Sequence, residues 1–253
     1  MRISLPWLFV LGACADGGIT WGPVTYGGSP STASATVATV VTLPPRGGAG
    51  CADIVVAARG GERYAAWWVA GPDGGSVLML ARSPDGGAHW DTPLVADDRD
   101  AGGLRCSRPS PSLFADETSG YLHLTYHISP AGSPGVYFTH SMQASALGTT
   151  GMGVLHMPVP VTHGDRPVRS SVAGRGDTVV VAFEDPNSAK PRILLALSTG
   201  AGHVFSAYGA VSPPGAAAAS PRVSLVGDSV RVYWIETGPG VAPRAVSRAG
   251  KLP

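Results

Sequence analysis

Four segments of the 253-residue chain follow one plan at nearly even spacing. They begin at Asp53 (DIVVAARGGERYAAWW), Ser110 (SPSLFADETSGYLHLTY), Arg169 (RSSVAGRGDTVVVAFED) and Arg222 (RVSLVGDSVRVYWIE), so their starts lie 57, 59 and 53 residues apart. Each has a short β-like run, a Gly-containing turn, and an apolar run ending in an aromatic. A fixed period near 55 marks a repeat architecture. Four antiparallel strands of five to eight residues, with their turns, need about that length. One such sheet cannot bury both faces alone. Sheets stacked radially around an axis do so and leave only short edges.

The rest of the chain agrees. Apolar residues at helical spacing are close to absent, and strand-like runs are many. They include Asp53–Ala58, Arg63–Val69, Ser76–Arg82, Tyr121–His127, Gly135–His140, Thr178–Glu184, Arg192–Ser198, Arg222–Val226 and Ser229–Glu236. The 35 glycines and 23 prolines fall between these runs without a collagen period, as turn punctuation in an all-β chain. Net charge is +1 with no basic face or run, which speaks against nucleic acid as a partner.

Each unit continues with a third strand-like run (SVLMLARS, GVYFTHS, RILLALS) and a polar turn. After the first unit that turn is SPDGGAHW, Ser83 to Trp90. Its Asp85 is placed to accept turn N–H groups, as Asx turns do. Its Gly87 permits a positive φ, and Trp90 can pack back over the hairpin. A degraded copy, STGAGHVF, runs from Ser198 to Phe205 and keeps the serine, Gly202 and a terminal aromatic.

Ser-x-Asp-x-Gly-x-x-Trp resembles the Asp-box, and from about Trp21 onward the chain resembles the Asp-box (BNR-repeat) sialidase-like superfamily. The resemblance implies a β-propeller of four-stranded antiparallel blades. It makes Ser83, Asp85, Gly87 and Trp90 structural residues at the outer rim. Sialidases have six blades, whereas four repeats are countable here. Thr36–Leu43 (TVATVVTL) is a spare strand that can complete the fourth sheet, closing the ring by pairing N- and C-terminal strands. TWGPVTYGG from Thr20 supports such a closure. A four-bladed ring, a five-bladed one and a truncated larger propeller all stay open.

The resemblance also places candidate site residues. The start of each innermost strand faces a central funnel, which puts Asp53, Ser110, Arg169 and Arg222 there, with Arg108 close by. Sialidases hold a substrate carboxylate with an arginine cluster at this place, and guanidinium suits that task. Ligand-binding candidates are therefore Arg108, Arg169, Arg222 and Glu184. A sialidase mechanism would need a tyrosine nucleophile with a glutamate and an aspartate acid/base. Tyr233, Glu236 and Asp53 are the available residues. The Arg-Ile-Pro that sialidases show near the start is missing. The alternative for Arg169, Arg222, Glu184 and Glu236 is a set of salt bridges around the ring. Three functions follow: a non-catalytic binder of a glycan or surface protein, an exo-sialidase-type hydrolase, or an envelope scaffold.

No cofactor motif is present, and no metal ligand set is assigned. His123 and His127 sit four apart on a strand, about 13 Å, too far to share an ion. Asp97, Asp98 and Asp100 read as a solvated acidic loop. Arg175-Gly176-Asp177 spells a cell-adhesion tripeptide in a position where a hairpin turn explains it.

The N-terminus, MRISLPWLFVLGAC, has one positive charge and then a short apolar run. That is the pattern of a secretory signal, too short to span a bilayer. Leu11-Gly12-Ala13-Cys14 resembles the lipobox of bacterial lipoproteins, with Cys14 as the lipidated residue. Residues 1–13 are then the signal peptide, 14–35 a tether and first strand region, and 36–253 the propeller. The expected location is the bacterial cell envelope, outer membrane or cell surface, with membrane contact through the lipid alone. Cys51 and Cys106 remain as a pair in a compartment where disulfides persist. Two buried free thiols are the alternative.

Overall fold

The computed structural model describes residues 18–27, 43–44, 50–71, 74–148, 155–238 and 241–253. Its strands form four separate four-stranded antiparallel sheets. Blade 1 is β2 (Gly50–Arg59), β3 (Glu62–Ala70), β4 (Ser76–Ser83) and β5 (Leu94–Asp97). Blade 2 is β6 (Ser112–Ala115), β7 (Leu122–Ile128), β8 (Gly135–Ser141) and β9 (Val159–His163). Blade 3 is β10 (Ser170–Arg175), β11 (Thr178–Glu184), β12 (Ile193–Ser198) and β13 (Ser206–Ala210). Blade 4 is β14 (Ala217–Val226), β15 (Ser229–Gly238), β16 (Val241–Lys251) and, on its outer edge, β1 (Thr20–Tyr26). Among the described residues the chain forms four blades of a β-propeller.

Local chemistry makes the hairpins. In blades 1, 3 and 4 the first two strands join through two-residue turns led by Gly60, Gly176 and Gly227, at φ of +52°, +56° and +57°. Gly at that first position suits a hairpin whose turn twist matches its strands. Side-chain pattern then stacks the blades. Every residue of β7 and β8 is buried, as a blade covered on both faces requires. One apolar cluster joins blades 1 and 2 through Trp68, Leu80, Leu124 and Tyr126. A second joins blades 2 and 3 through Phe138, Val181 and Phe183. A third joins blades 3 and 4 through Val180, Leu195, Val232 and Trp234.

The fourth sheet does pair N- and C-terminal strands, and the N-terminal strand that completes it is Thr20–Tyr26. β1 pairs with β16 from Thr20↔Lys251 to Tyr26↔Val246. Gly250 makes room for it: a Cβ there would stand 2.7 Å from the Trp21 ring and 2.8 Å from Ile19. Arg248 covers the Trp21 ring and donates from Nε to the Gly22 carbonyl at 2.9 Å. Thr36–Thr42 lies outside the described residues, and Leu43 is exposed and outside any strand.

Cys51, at the start of β2, is joined to Cys106, in the 3₁₀ turn Arg105–Ser107, across 55 residues. Cys14 lies outside the described residues.

Candidate functional site

The innermost strands β2, β6, β10 and β14 all contribute to the wall of a cavity of about 520 Å³. Its wall is built from equivalent pieces of the repeat: residues 110–113, 169–171 and 220–222, with Val55 and Val56 from blade 1. Five of these are serines. Several hydroxyls stitch the blades together. Ser112 Oγ accepts the Val172 N–H, and Ser171 Oγ accepts the Val223 N–H, both at 3.1 Å. Ser110 Oγ donates to Asp53 at 2.9 Å, which joins blade 1 to blade 2. The same inner-strand position thus does the same work in successive blades.

Arg169 and Arg222 are exposed on this wall. Arg169 donates to Ser220 Oγ at 3.4 Å. Among the described residues neither guanidinium lies within ion-pair distance of a carboxylate, and the wall carries no acidic side chain. Glu184, at the end of β11, is buried behind them. Its carboxylate accepts the Ser220 N–H at 2.8 Å and the Arg169 N–H at 3.4 Å. It therefore holds the two backbone segments that present the arginines, and it does not line the cavity. Ser220 sits at φ +57°, outside the region most residues prefer, and the Glu184 bond secures it there.

The other sequence candidates are dispersed. Arg108 is fully buried away from the cavity. It is paired bidentately with Asp100 through Nε and Nη2, donates from Nη1 to the His127 carbonyl, and lies over the Trp68 ring. Burial lowers its affinity for its proton, and Asp100 opposes that shift. Asp100 also accepts the N–H groups of Ser76 and Ser129, so the pair ties three segments together. Asp97 is buried too, paired with Arg99 and accepting the Tyr126 hydroxyl. The segment read as a solvated loop thus supplies two buried anchors. Glu236 pairs with Arg244 at 2.8 Å and accepts the Trp234 indole N–H at 3.3 Å. Tyr233 lies across from Arg222 in the β14–β15 register, half-buried, with no hydrogen bond to Glu236. Asp53 is exposed at the edge of the wall.

The two polar turns that follow the third strands share a design. Gly87 N–H donates to Ser83 Oγ at 2.8 Å, and Gly202 N–H donates to Ser198 Oγ at 3.0 Å. In the first turn Asp85 accepts the His89 N–H at 2.8 Å, which draws its carboxyl down to about 2. Trp90 packs against the cluster of Ala65, Trp67 and Ala81. Both turns lie between third and fourth strands, on the outer half of their blades and away from the cavity. The Arg175–Asp177 tripeptide is the β10–β11 turn, with Arg175 paired to Asp228.

Three histidines far apart in the chain, His140, His156 and His203, converge at the seam between blades 2 and 3. Their spacing in the chain carries no recognisable ligand motif, so no sequence signal could have found them.

No protein-family model matches the chain, and no curated protein does. Solved structures match its fold. A protein of unknown function from Dyadobacter fermentans superposes with a TM-score of 0.54 at 12% identity, over 78% of this chain and 52% of that one. The sialidase of Trypanosoma rangeli gives 0.48 at 15% identity, over 77% and 30%. A xylan β-1,4-xylosidase from Bacillus halodurans gives 0.47 at 12% identity, over 82% and 43%. This chain spans about half the length of the first and less of the others. At these identities the likeness is one of fold.

Proposed function

We propose that this chain is an exported, lipid-anchored propeller that binds a carboxylate-bearing glycan in its central cavity without turning it over. One observation carries the reading: Arg169 and Arg222 face a cavity rich in hydroxyls, and among the described residues no carboxylate lies within ion-pair distance of either. Two guanidiniums held by buried Glu184 at fixed backbone positions suit a ligand carboxylate, and serine hydroxyls suit sugar hydroxyls. Binding without catalysis is favoured by where the acid and base residues are spent. Glu236 is committed to Arg244 and Trp234 instead of activating Tyr233, and Arg108 is committed to Asp100 instead of supplying a third arginine.

Isothermal titration with sialic acid and with a uronic-acid oligosaccharide tests this. Binding by at least one of them is expected, with a loss of tenfold or more in Arg169→Ala and in Arg222→Ala. Equal affinity in both variants, or no binding of either sugar, would overturn the reading. Turnover of a fluorogenic sialoside that disappears in those variants would replace it with the hydrolase. The anchor rests on Leu11–Cys14. Cys14→Ala is expected to move the chain from the membrane to the soluble fraction of the envelope, and an unchanged distribution would remove the anchor from the proposal.

A further inference from the structure

His140 is the sixth residue of β8, His156 lies in the connection to β9, and His203 lies in the Ser198–Phe205 turn of blade 3. One ring nitrogen from each lies within 4.8 Å of the others. The ring centroids are 4.2 Å (His140–His156), 4.9 Å (His140–His203) and 5.1 Å (His156–His203) apart. His140 is buried, His156 half-buried and His203 exposed, so the group runs from the interior out to the surface.

We infer that these three imidazoles form a site for a borderline divalent transition metal, Zn²⁺ foremost, bridging blades 2 and 3. Three observations support it, none of them dependent on the central cavity. First, His203 is set as a ligand. Its Nδ1 lies 2.7 Å from the Gly200 carbonyl, so Nδ1 carries the proton and Nε2 presents its lone pair. A backbone carbonyl orienting the far nitrogen is the usual support behind a metal-bound histidine. Second, that Nε2 stands 3.1 Å from His156 Nδ1. Two nitrogens on one tetrahedral zinc are about 3.3 Å apart for bonds of about 2.0–2.1 Å. A proton shared between them occupies the edge that a metal would span. Third, His140 Nε2 is buried with no hydrogen-bond partner among the described residues, although the residue is only 2% exposed. A buried ring nitrogen left unsatisfied is costly, and a metal bond would satisfy it.

The ligand-bearing segments are tied to the blades by close packing and hydrogen bonds. The His203 turn is pressed onto blade 2 at Gly202, where a Cβ would stand 2.0 Å from the Phe138 ring. Two bonds fix His156 beside β8: its N–H donates to the His140 carbonyl at 2.9 Å, and its carbonyl accepts the Thr139 hydroxyl at 2.6 Å. Exposure of His203 leaves a fourth position open to water or to a donor from outside, as in zinc sites with three protein ligands. Neutral nitrogen ligands without carboxylates favour Zn²⁺, Cu²⁺ or Ni²⁺ over Mg²⁺ and Ca²⁺.

The test uses the whole chain carrying no added histidine tag, titrated with ZnCl₂, with CoCl₂ as a spectroscopic probe. Expected are one saturable Zn²⁺ per chain, four-coordinate visible bands with Co²⁺, and no response to Ca²⁺ or Mg²⁺. At Zn²⁺ a hundredfold above Kd, Tm should rise by about 5–10 °C. His203→Ala and His156→Ala, both at accessible positions, should keep the metal-free Tm within a few degrees and lose Zn²⁺ affinity at least a hundredfold. His89→Ala, an exposed histidine on blade 1, should bind as the parent does. Absence of saturable binding, or binding that survives in His203→Ala, would overturn the inference.

Discussion

Opening the Cys51–Cys106 bond should cost this propeller a large part of its stability. Unfolded, the bridge closes a loop of 55 residues. In the chain-entropy account such a closure removes about 14 cal/mol/K from the unfolded ensemble, or about 4 kcal/mol at 25 °C. The bridge spans blade 1 from its innermost strand to the connection that leaves its outer strand for blade 2, so nearly the whole blade lies inside the loop. Cys51 also belongs to the core shared by blades 1 and 2. Replacing it by alanine would add a packing loss to the entropic one, whereas reduction keeps both sulfurs. Urea unfolding of the parent with and without reductant, beside Cys51→Ala/Cys106→Ala, separates the two effects. Reduction should remove about 4 kcal/mol, a fall in Tm of roughly 8–16 °C, and the double variant somewhat more. A loss below about 1 kcal/mol, with Cys51 and Cys106 protected from alkylation before reduction, would refute loop closure as the source of the bridge's effect.

Three further perturbations test the packing. Tyr64 is buried, and burial together with its 2.7 Å bond to Glu62 pushes its hydroxyl up to about 12. Its contribution is therefore complete below about pH 10 and lost as pH rises through about 12, worth roughly 1–2 kcal/mol because the hydroxyl sits in a half-buried polar cluster. Urea midpoints at pH 8.5 and 11.5 should differ more in the parent than in Tyr64→Phe, and an equal difference would be the contrary result. Gly202→Ala combines a φ of +89° with the approach to Phe138 and should destabilise by roughly 2–4 kcal/mol; a Tm unchanged within a degree in a thermal melt would contradict the seam geometry. Arg108→Ala strands the fully buried Asp100 carboxylate and should cost about 3–5 kcal/mol, with Arg108→Ala/Asp100→Ala recovering part of it; a double variant no better than the single one would count against the pairing.

The repeat was legible in the amino-acid sequence because its signals are local. A Gly at the head of a two-residue turn, an apolar run before and after it, and a serine whose hydroxyl caps the next turn each act within a few residues. All nine strand runs read from the sequence overlap strands of the structure, and the four units are its four blades. That Arg169 and Arg222 would share one wall was also readable, since equivalent positions of a radial repeat face the same axis. Pairings between distant residues were not. Which N-terminal strand closes blade 4 depends on Trp21 meeting Gly250, and no alternation pattern encodes that choice. Arg108 adjoins the funnel residues in sequence, yet Asp100 and the His127 carbonyl draw it into the blade 1–blade 2 core. His140, His156 and His203 follow no motif, and only the docking of the blade 3 turn onto Phe138 brings them together. Hairpin chemistry is written in neighbouring residues, so the sequence alone determined the blades. The pairing and packing of distant segments join residues far apart in the chain, so the β1–β16 pairing, the buried ion pairs and the histidine cluster were decided by the tertiary structure.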